Sequence, residues 1–216
     1  MREQVLDAFK VYLEEIGLLS RFDVLLELAD ELLRWNKTHN LTAYTTHADI
    51  ISYLFMDSLF LARFCNQGSC LDIGSGAGFP GLMLALARPD VQVTMLDARR
   101  KRVTFQKHAI RCLGLQNIKA LWGRAGEKDV ISNKFDTVTC KALASLPAAF
   151  AICQQYVKDG GMILLPRGIG DEQACRDLCN NSTKQWQFEL SRYSIAGNKG
   201  EMLLLRACSS KGYAIG

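Results

Sequence analysis

71-LDIGSGAGFPG-81 decides how this chain is read. Five glycines or prolines fall within eight residues, directly after an apolar run and an acid. Such a loop lets a nucleotide approach the backbone closely. Its glycines fit two registers. Gly76, Gly78 and Gly81 spell G-x-G-x-x-G, the dinucleotide fingerprint. Gly74, Gly76 and Gly78 spell G-x-G-x-G, with Asp72 two residues ahead.

The flanking sequence sets the frame for that choice. Downstream, short β-rich runs alternate with helical stretches. Cys70–Ile73, Val91–Leu96, Ile118–Trp122, Phe135–Cys140 and Met162–Leu165 read as strands. Gly81–Ala87, Lys101–Leu113, Pro147–Val157 and Asp171–Asn180 read as helices. Gly114 stops the second of these, and Asp159-Gly160-Gly161 closes the third. Two last strands, Trp186–Ile195 and Met202–Ala207, have only residues 196–200 between them, so they predict an antiparallel hairpin. The expected fold is α/β: a doubly wound, Rossmann-like sheet of about seven strands with an antiparallel terminal hairpin. Upstream, residues 3–19 put Val5, Leu6, Phe9, Leu13 and Ile16 on one helical face. Phe22 to Leu33 repeats the pattern, 35-WNKTHNLT-42 reads as a polar break, and a third helix is expected around residues 49–64. The chain therefore divides into a helical N-terminal extension, 1–65, and a nucleotide-binding domain, 66–216.

In a doubly wound sheet the ligand sits beyond the strands' C-terminal edge, and the first glycine follows the strand at once. Ile73 ends the strand, so Gly74 is that glycine, and the dinucleotide register begins two residues too late. Asp72 argues the same way. A carboxylate there would repel a pyrophosphate but suit an ammonium. S-adenosylmethionine (SAM) offers an ammonium and a sulfonium and no phosphate. Asp97 ends the next strand, 23 residues after Gly74, where an acid accepts hydrogen bonds from ribose hydroxyls. Loop, Asp72 and hairpin together favour SAM over NAD.

Composition bounds the rest. The chain has 216 residues, 49% of them hydrophobic, with no apolar run long enough for a membrane span and no signal-peptide core near the N-terminus. A soluble, cytoplasmic monomer is expected. The eight cysteines form no C-x-x-C pair and read as free thiols, and His39, His47 and His108 lack metal-ligand spacing. Net charge is +4 but unevenly spread: residues 1–65 carry six Lys/Arg against ten Asp/Glu, and the remainder twenty against twelve. A basic nucleotide-binding half points to a polyanion as partner. Arg99, Arg100, Lys101 and Arg102 crowd a helix start, where they oppose the helix dipole; RNA phosphate is one candidate to compensate them, and a solvated helix face is the other reading.

The chain resembles the bacterial small-subunit (16S) rRNA guanine-N7 methyltransferases, the glucose-inhibited division protein B family. The carriers are WNKTHNLT (35–42), MDSL (56–59), LDIGSGAGFPG (71–81), ARPD (87–90), LDARRKRVTF (96–105), GRAGE (123–127) and ALASL (142–146). The resemblance implies the SAM methyltransferase fold, SAM as cofactor, and 16S rRNA or the assembling small subunit as partner. It implies SAM contacts from Gly74 and Phe79, an adenine border at Ala125 and Gly126, and Lys141 near the methionine end. With the loop reading, the expected cofactor set is Asp72, Gly74, Gly76, Gly78, Phe79, Asp97, Ala125, Gly126 and Lys141. Arg99, Arg100, Arg102 and Arg167 are expected on RNA. Four positions depart from the family: Lys141 stands for its Arg, Gly126 for its Glu, Leu54 for its His and Arg167 for its Lys. No catalytic base is expected, because guanine N7 carries an exposed lone pair and no proton. The alternative is a SAM-binding, RNA-interacting protein with another RNA target or without catalysis.

Overall fold

The computed structural model describes residues 2–127, 130–141, 143–180, 185–196 and 200–210. Helix α1 (Arg2–Glu15) turns Val5, Phe9 and Leu13 inward at the i, i+4 spacing of one face. Helix α2 (Phe22–His39) buries Leu25, Leu28, Ala29 and Leu32. It continues through the expected polar break and stops only at Asn40, which adopts a left-handed φ of 48°. The polar residues of 35–42 thus end a helix and clamp the chain after it. The Asn36 amide nitrogen donates to the carbonyls of Thr42 (3.0 Å) and Tyr44 (3.3 Å), and its oxygen accepts from the Thr42 N–H (3.0 Å). Trp35 packs against Phe105 and stacks on His108.

The third helical segment begins with α3 (His47–Asp49), capped by the Thr46 hydroxyl, which accepts from the Asp49 N–H. It passes into a π-helical stretch, Ile50–Met56, and then into α4 (Asp57–Ala62). Simple 3.6-residue periodicity does not foresee that wider turn.

Seven strands follow: β1 (Gly68–Ile73), β2 (Val91–Asp97), β3 (Ile118–Trp122), β4 (Phe135–Thr139), β5 (Val157–Gly168), β6 (Trp186–Tyr193) and β7 (Met202–Ser209). Their order is β3-β2-β1-β4-β5-β7-β6. The β1–β2, β1–β4, β2–β3 and β4–β5 pairs are parallel, and β7 runs antiparallel to both β5 and β6. Helices α5 (Gly81–Ala87), α6 (Arg100–Leu113), α7 (Leu146–Gln154) and α8 (Glu172–Asn180) complete the winding. The expected sheet and hairpin are present; residues 197–199 of the hairpin turn and Ala142 lie outside the described residues. One boundary is corrected. Helix α7 ends at Gln154, and Gly160-Gly161 fall inside β5. Gly160 has φ 73°, and the β4–β5 register shifts between Phe135 and Thr137. Five residue steps of β5 from Val157 to Met162 stand against two of β4, so the glycine pair lets the strand loop out locally before it pairs again.

The apolar core on one side of the sheet joins Phe9 and Phe55 of the extension to Leu82 of α5 and Phe105 of α6. The extension therefore shares its core with the sheet. On the other side, Leu71, Leu165 and Leu205 pack against Cys153 of α7 and Cys175 of α8. All eight cysteines are free thiols. Among the described residues, no helix is long and apolar enough to cross a membrane. The order reverses between β1 and β4, which places the switch point where Ile73-Gly74 and Cys140-Lys141 leave the sheet.

Candidate cofactor site

The loop after β1 answers the question of register. Gly74, Gly76 and Gly78 all have left-handed φ values, 71°, 58° and 96°, whereas Gly81 does not. Gly81 opens α5 and is a packing glycine: a Cβ there would lie 2.6 Å from the Met95 Cγ and 2.9 Å from the Asp72 Oδ2. The backbone demands G-x-G-x-G, and the fourth glycine serves helix–strand packing. Gly74 also lies beneath Leu143, whose Cδ1 would be 2.8 Å from an added Cβ.

Two carboxylates hold this loop. Asp72 is fully buried, and its Oδ2 accepts from the Gly81 N–H at 2.9 Å. Its Oδ1 is buried and has no hydrogen-bond partner. Burial pushes the Asp72 carboxyl up to about 7, offset in part by the Gly81 N–H, by Ser75 and by the Lys141 charge. Asp97 ends β2. Its Oδ2 accepts from the Gly76 N–H (2.9 Å) and its Oδ1 from the Arg99 N–H (2.8 Å). A carboxylate two residues before the N-cap Arg99 offsets the clash between the cationic first turn of α6 and the helix dipole.

Beside these groups, at the C-terminal edge of the strands, is a cavity of about 300 Å³. Gly74, Asp97, Ala98, Ala125 and Leu143 are among its lining residues. A larger groove, about 400 Å³, lies toward the strands' N-terminal ends, lined by Ser69, Gln92, Thr94 and Lys119. No described residue between β3 and β4 is helical, and the non-helical stretch from Val130 to Asn133 forms one side of the groove. The smaller cavity is the candidate, because ligands of doubly wound sheets bind at the carboxyl ends.

Several expected site residues stand differently from their expectation. Phe79 turns its ring into the core against Phe55 (centroids 5.4 Å), away from the cavity. Gly126 lies outside the cavity lining; its φ of 90° suits glycine and strains a side chain, and its N–H donates to the Tyr156 hydroxyl at 2.6 Å. Lys141 turns inward. Its Nζ donates to the buried Asp57 carboxylate (2.5 Å) and to the Tyr53 carbonyl (2.8 Å) of the π-helical stretch, rather than reaching out to a ligand. Arg102 is only partly exposed and points back at Asp97, 3.4 Å away, instead of outward to phosphates. Arg99 and Arg100 are exposed as expected. Arg167 is 4% exposed, which removes it from any open RNA surface. Its side chain faces the α7–α8 core near Cys140, and its Nε and Nη2 have no hydrogen-bond partner.

Sequence reasoning missed Asp57 and Tyr193. The Tyr193 hydroxyl donates to the second Asp57 oxygen at 2.7 Å, and its ring stacks on Phe60 (centroids 4.3 Å). Burial and the Asp57 charge push that hydroxyl well above its usual range, so it stays a donor. Lys141, Asp57 and Tyr193 thus tie β4, α4 and β6 together beside the switch point. The available signal was an acid and a serine inside an otherwise apolar helical run, LFMDSLFL (54–61). Among the described residues no group of three or more His, Cys, Asp or Glu is placed to hold a metal ion.

With the geometry established, comparison with known proteins places it. The family model described as rRNA small subunit methyltransferase G matches residues 22–203. Ribosomal RNA small subunit methyltransferase G of Stenotrophomonas maltophilia (strain K279a) is 32% identical over 175 residues, 81% of this chain and 80% of that protein. The protein of the same description from Clostridium beijerinckii is 36% identical over 176 residues, 77% of this chain and 74% of the relative. That from Lachnoclostridium phytofermentans is 38% identical over 152 residues, and the match spans 62% of that relative's length. Two solved structures share the fold. An O-methyltransferase from Bacillus cereus in complex with SAH has a TM-score of 0.60 at 18% identity, covering 85% of this chain and 90% of that one. An rRNA methylase from Streptococcus thermophilus has a TM-score of 0.54 at 13% identity, covering 71% and 94%. The chain belongs to the rRNA small subunit methyltransferase G family.

Proposed function

We propose that this chain transfers the methyl group of SAM to N7 of a guanine in small-subunit rRNA. The observation that carries the reading is the pair of buried carboxylates, Asp72 and Asp97, each bonded to an N–H of a loop with three left-handed glycines. The residues fit SAM. The unpartnered Asp72 Oδ1 is a buried acceptor that an ammonium would satisfy. Asp97 keeps unused lone pairs for ribose hydroxyls. The side chains of Leu96, Ala98 and Ala125 make an apolar slot for an adenine. Glycine at 74 lets Leu143 pack directly on the loop, where both residues line the cavity.

SAM supplies an electrophilic methyl carbon on a sulfonium. Bound there, it would give this methyl to the guanine N7 lone pair, with neutral S-adenosylhomocysteine as the leaving group. No proton is removed, so the protein's work is positioning and exclusion of water. Asp97 fixes the cofactor's ribose, Asp72 its amino end, and Leu143 closes over Gly74. The Lys141–Asp57–Tyr193 network holds the end of β4 against the helical extension, and so fixes the wall opposite the loop. Arg99 and Arg100, exposed at the start of α6, are placed to take RNA phosphates.

The test is methyl transfer from methyl-labelled SAM to small-subunit RNA and to the assembled subunit, followed by nucleoside digestion. The label is expected in 7-methylguanosine. Label in another nucleoside, or none with either substrate, overturns the reading.

A further inference from the structure

Trp122 is the last residue of β3, on the outer rim of the cavity, and its side chain is conspicuous. It is 55% exposed, although large aromatic rings are usually well buried. It is also held rigidly. The indole N–H donates to the Ala98 carbonyl at 3.1 Å, and the Arg100 guanidinium lies 4.3 Å from the ring centroid. Ala98, Gly123 and Arg124, immediately around it, line the cofactor cavity. Arg99, Arg100 and Lys101 at the start of α6, and Arg124 two residues after Trp122, are exposed, and Glu127 is paired with Arg124 at 3.9 Å.

We propose that Trp122, backed by Arg100, is a stacking platform for an unpaired RNA base next to the guanine presented to the cavity. The inference rests on RNA being the substrate, as proposed above, and names how that substrate is gripped. One face of the indole carries the guanidinium, and the rest of the exposed ring is open to a flat partner. An unstacked base has such a face, and its flanking phosphates would meet Arg99, Lys101 and Arg124. Single-stranded RNA is bound by this combination of aromatic stacking and surrounding cations. The indole's only donor is engaged by Ala98, so the platform grips a base without choosing among bases. A paired, stacked helix could not offer the same face.

The experiment uses the full chain saturated with S-adenosylhomocysteine and a 15-nucleotide single-stranded RNA, with its fully paired duplex as control. Trp122→Ala is expected to weaken the single strand by about tenfold, the scale of removing one base–aromatic stack. Trp122→Phe should retain most of the affinity, and the duplex should bind both variants and the parent alike. The salt slope of Trp122→Ala should match the parent, because every cation that meets a phosphate remains, while Arg99→Ala should lower it by about one unit. Unchanged single-strand affinity in Trp122→Ala overturns the platform. So does a parallel loss of S-adenosylhomocysteine affinity, which would make the ring a wall of the cavity. Formation of 7-methylguanosine by the parent is measured alongside. A parent that methylates nothing but loses RNA with Trp122→Ala defeats the functional reading and keeps the platform. A parent that methylates, with Trp122→Ala binding RNA normally, defeats only the platform.

Discussion

Asp72 joins ligand binding to pH. Its carboxyl is pushed up to about 7 in the folded chain, from roughly 3.9 when unfolded. Between those values the folded state holds the extra proton, so stability falls as pH rises from 4 to 7. Asp72→Asn should remove that slope and stabilise the chain at pH 8, by up to about 4 kcal/mol, in denaturant titrations across that range. Binding an ammonium requires the ionised form, so cofactor affinity should drop as pH falls below 7. Above roughly 8 the cofactor's own α-amino group begins to lose its proton. Calorimetry should give a bell-shaped affinity, and Asp72→Asn should lose the acid limb together with most of the binding. A pH-independent affinity in the parent would show that Asp72 only caps α5. Asp97 acts more directly. Asp97→Ala should weaken cofactor binding by about 1.5–3 kcal/mol, the scale of hydrogen bonds to a charged group. A 2′-deoxyribose analogue should lose affinity against the parent and much less against the variant; equal losses would place the ribose elsewhere. Arg102, bonded to Asp97, should alter cofactor affinity when neutralised. The two acids and the glycine register were legible because position at a strand end dictates them. The inward turn of Arg102 and Phe79 was not, because rotamers follow tertiary neighbours that spacing does not reveal.

Elements meet at the Lys141–Asp57–Tyr193 junction, where α4, β4 and β6 converge. Asp57 is buried, and two donors satisfy its two oxygens. Removing one partner of such a pair strands a charge in a poor solvent. Asp57→Ala should cost about 3–5 kcal/mol in urea unfolding, and adding Lys141→Met should restore part of that. Tyr193→Phe removes one hydrogen bond to a charged group and should cost about 1.5–3 kcal/mol. If Asp57→Ala and the double variant are equally unstable, the pair is not coupled as the distances imply. Lys141→Arg carries the family's residue but must fit a fork where an ammonium now sits between a carboxylate and the Tyr53 carbonyl. Apart from the shifted end of α7, the alternation of strands and helices was readable from apolar periodicity to within a few residues. The junction was not, because it joins residues 84 and 136 positions apart. The π-helical stretch was equally hidden: the apolar spacing of IISYLFM reads as a helix but does not distinguish the wider turn from an α-helical one.

The whole molecule combines an acidic extension, a basic sheet and a shared core. The division of charge was visible in composition, and Arg99 and Arg100 do face solvent. Neutralising both should weaken RNA binding and flatten its salt dependence by about one unit of slope for each phosphate no longer neutralised. Unchanged binding at every salt concentration would leave them as a solvated helix end. What composition could not show is that residues 1–65 complete the sheet's core, since an apolar helical face does not name its partner. Phe55 packs on Phe79 of the glycine loop, and Trp35 on Phe105 of α6. Deleting residues 1–65 would expose the apolar surfaces of α5 and α6 and take Asp57 from Lys141. A chain beginning at Asn66 should therefore lack a cooperative thermal transition and fail to bind S-adenosylhomocysteine, whereas the full chain should unfold in one step. A sharp transition in the shortened chain, with cofactor affinity intact, would show that the sheet stands alone and that the extension serves only RNA.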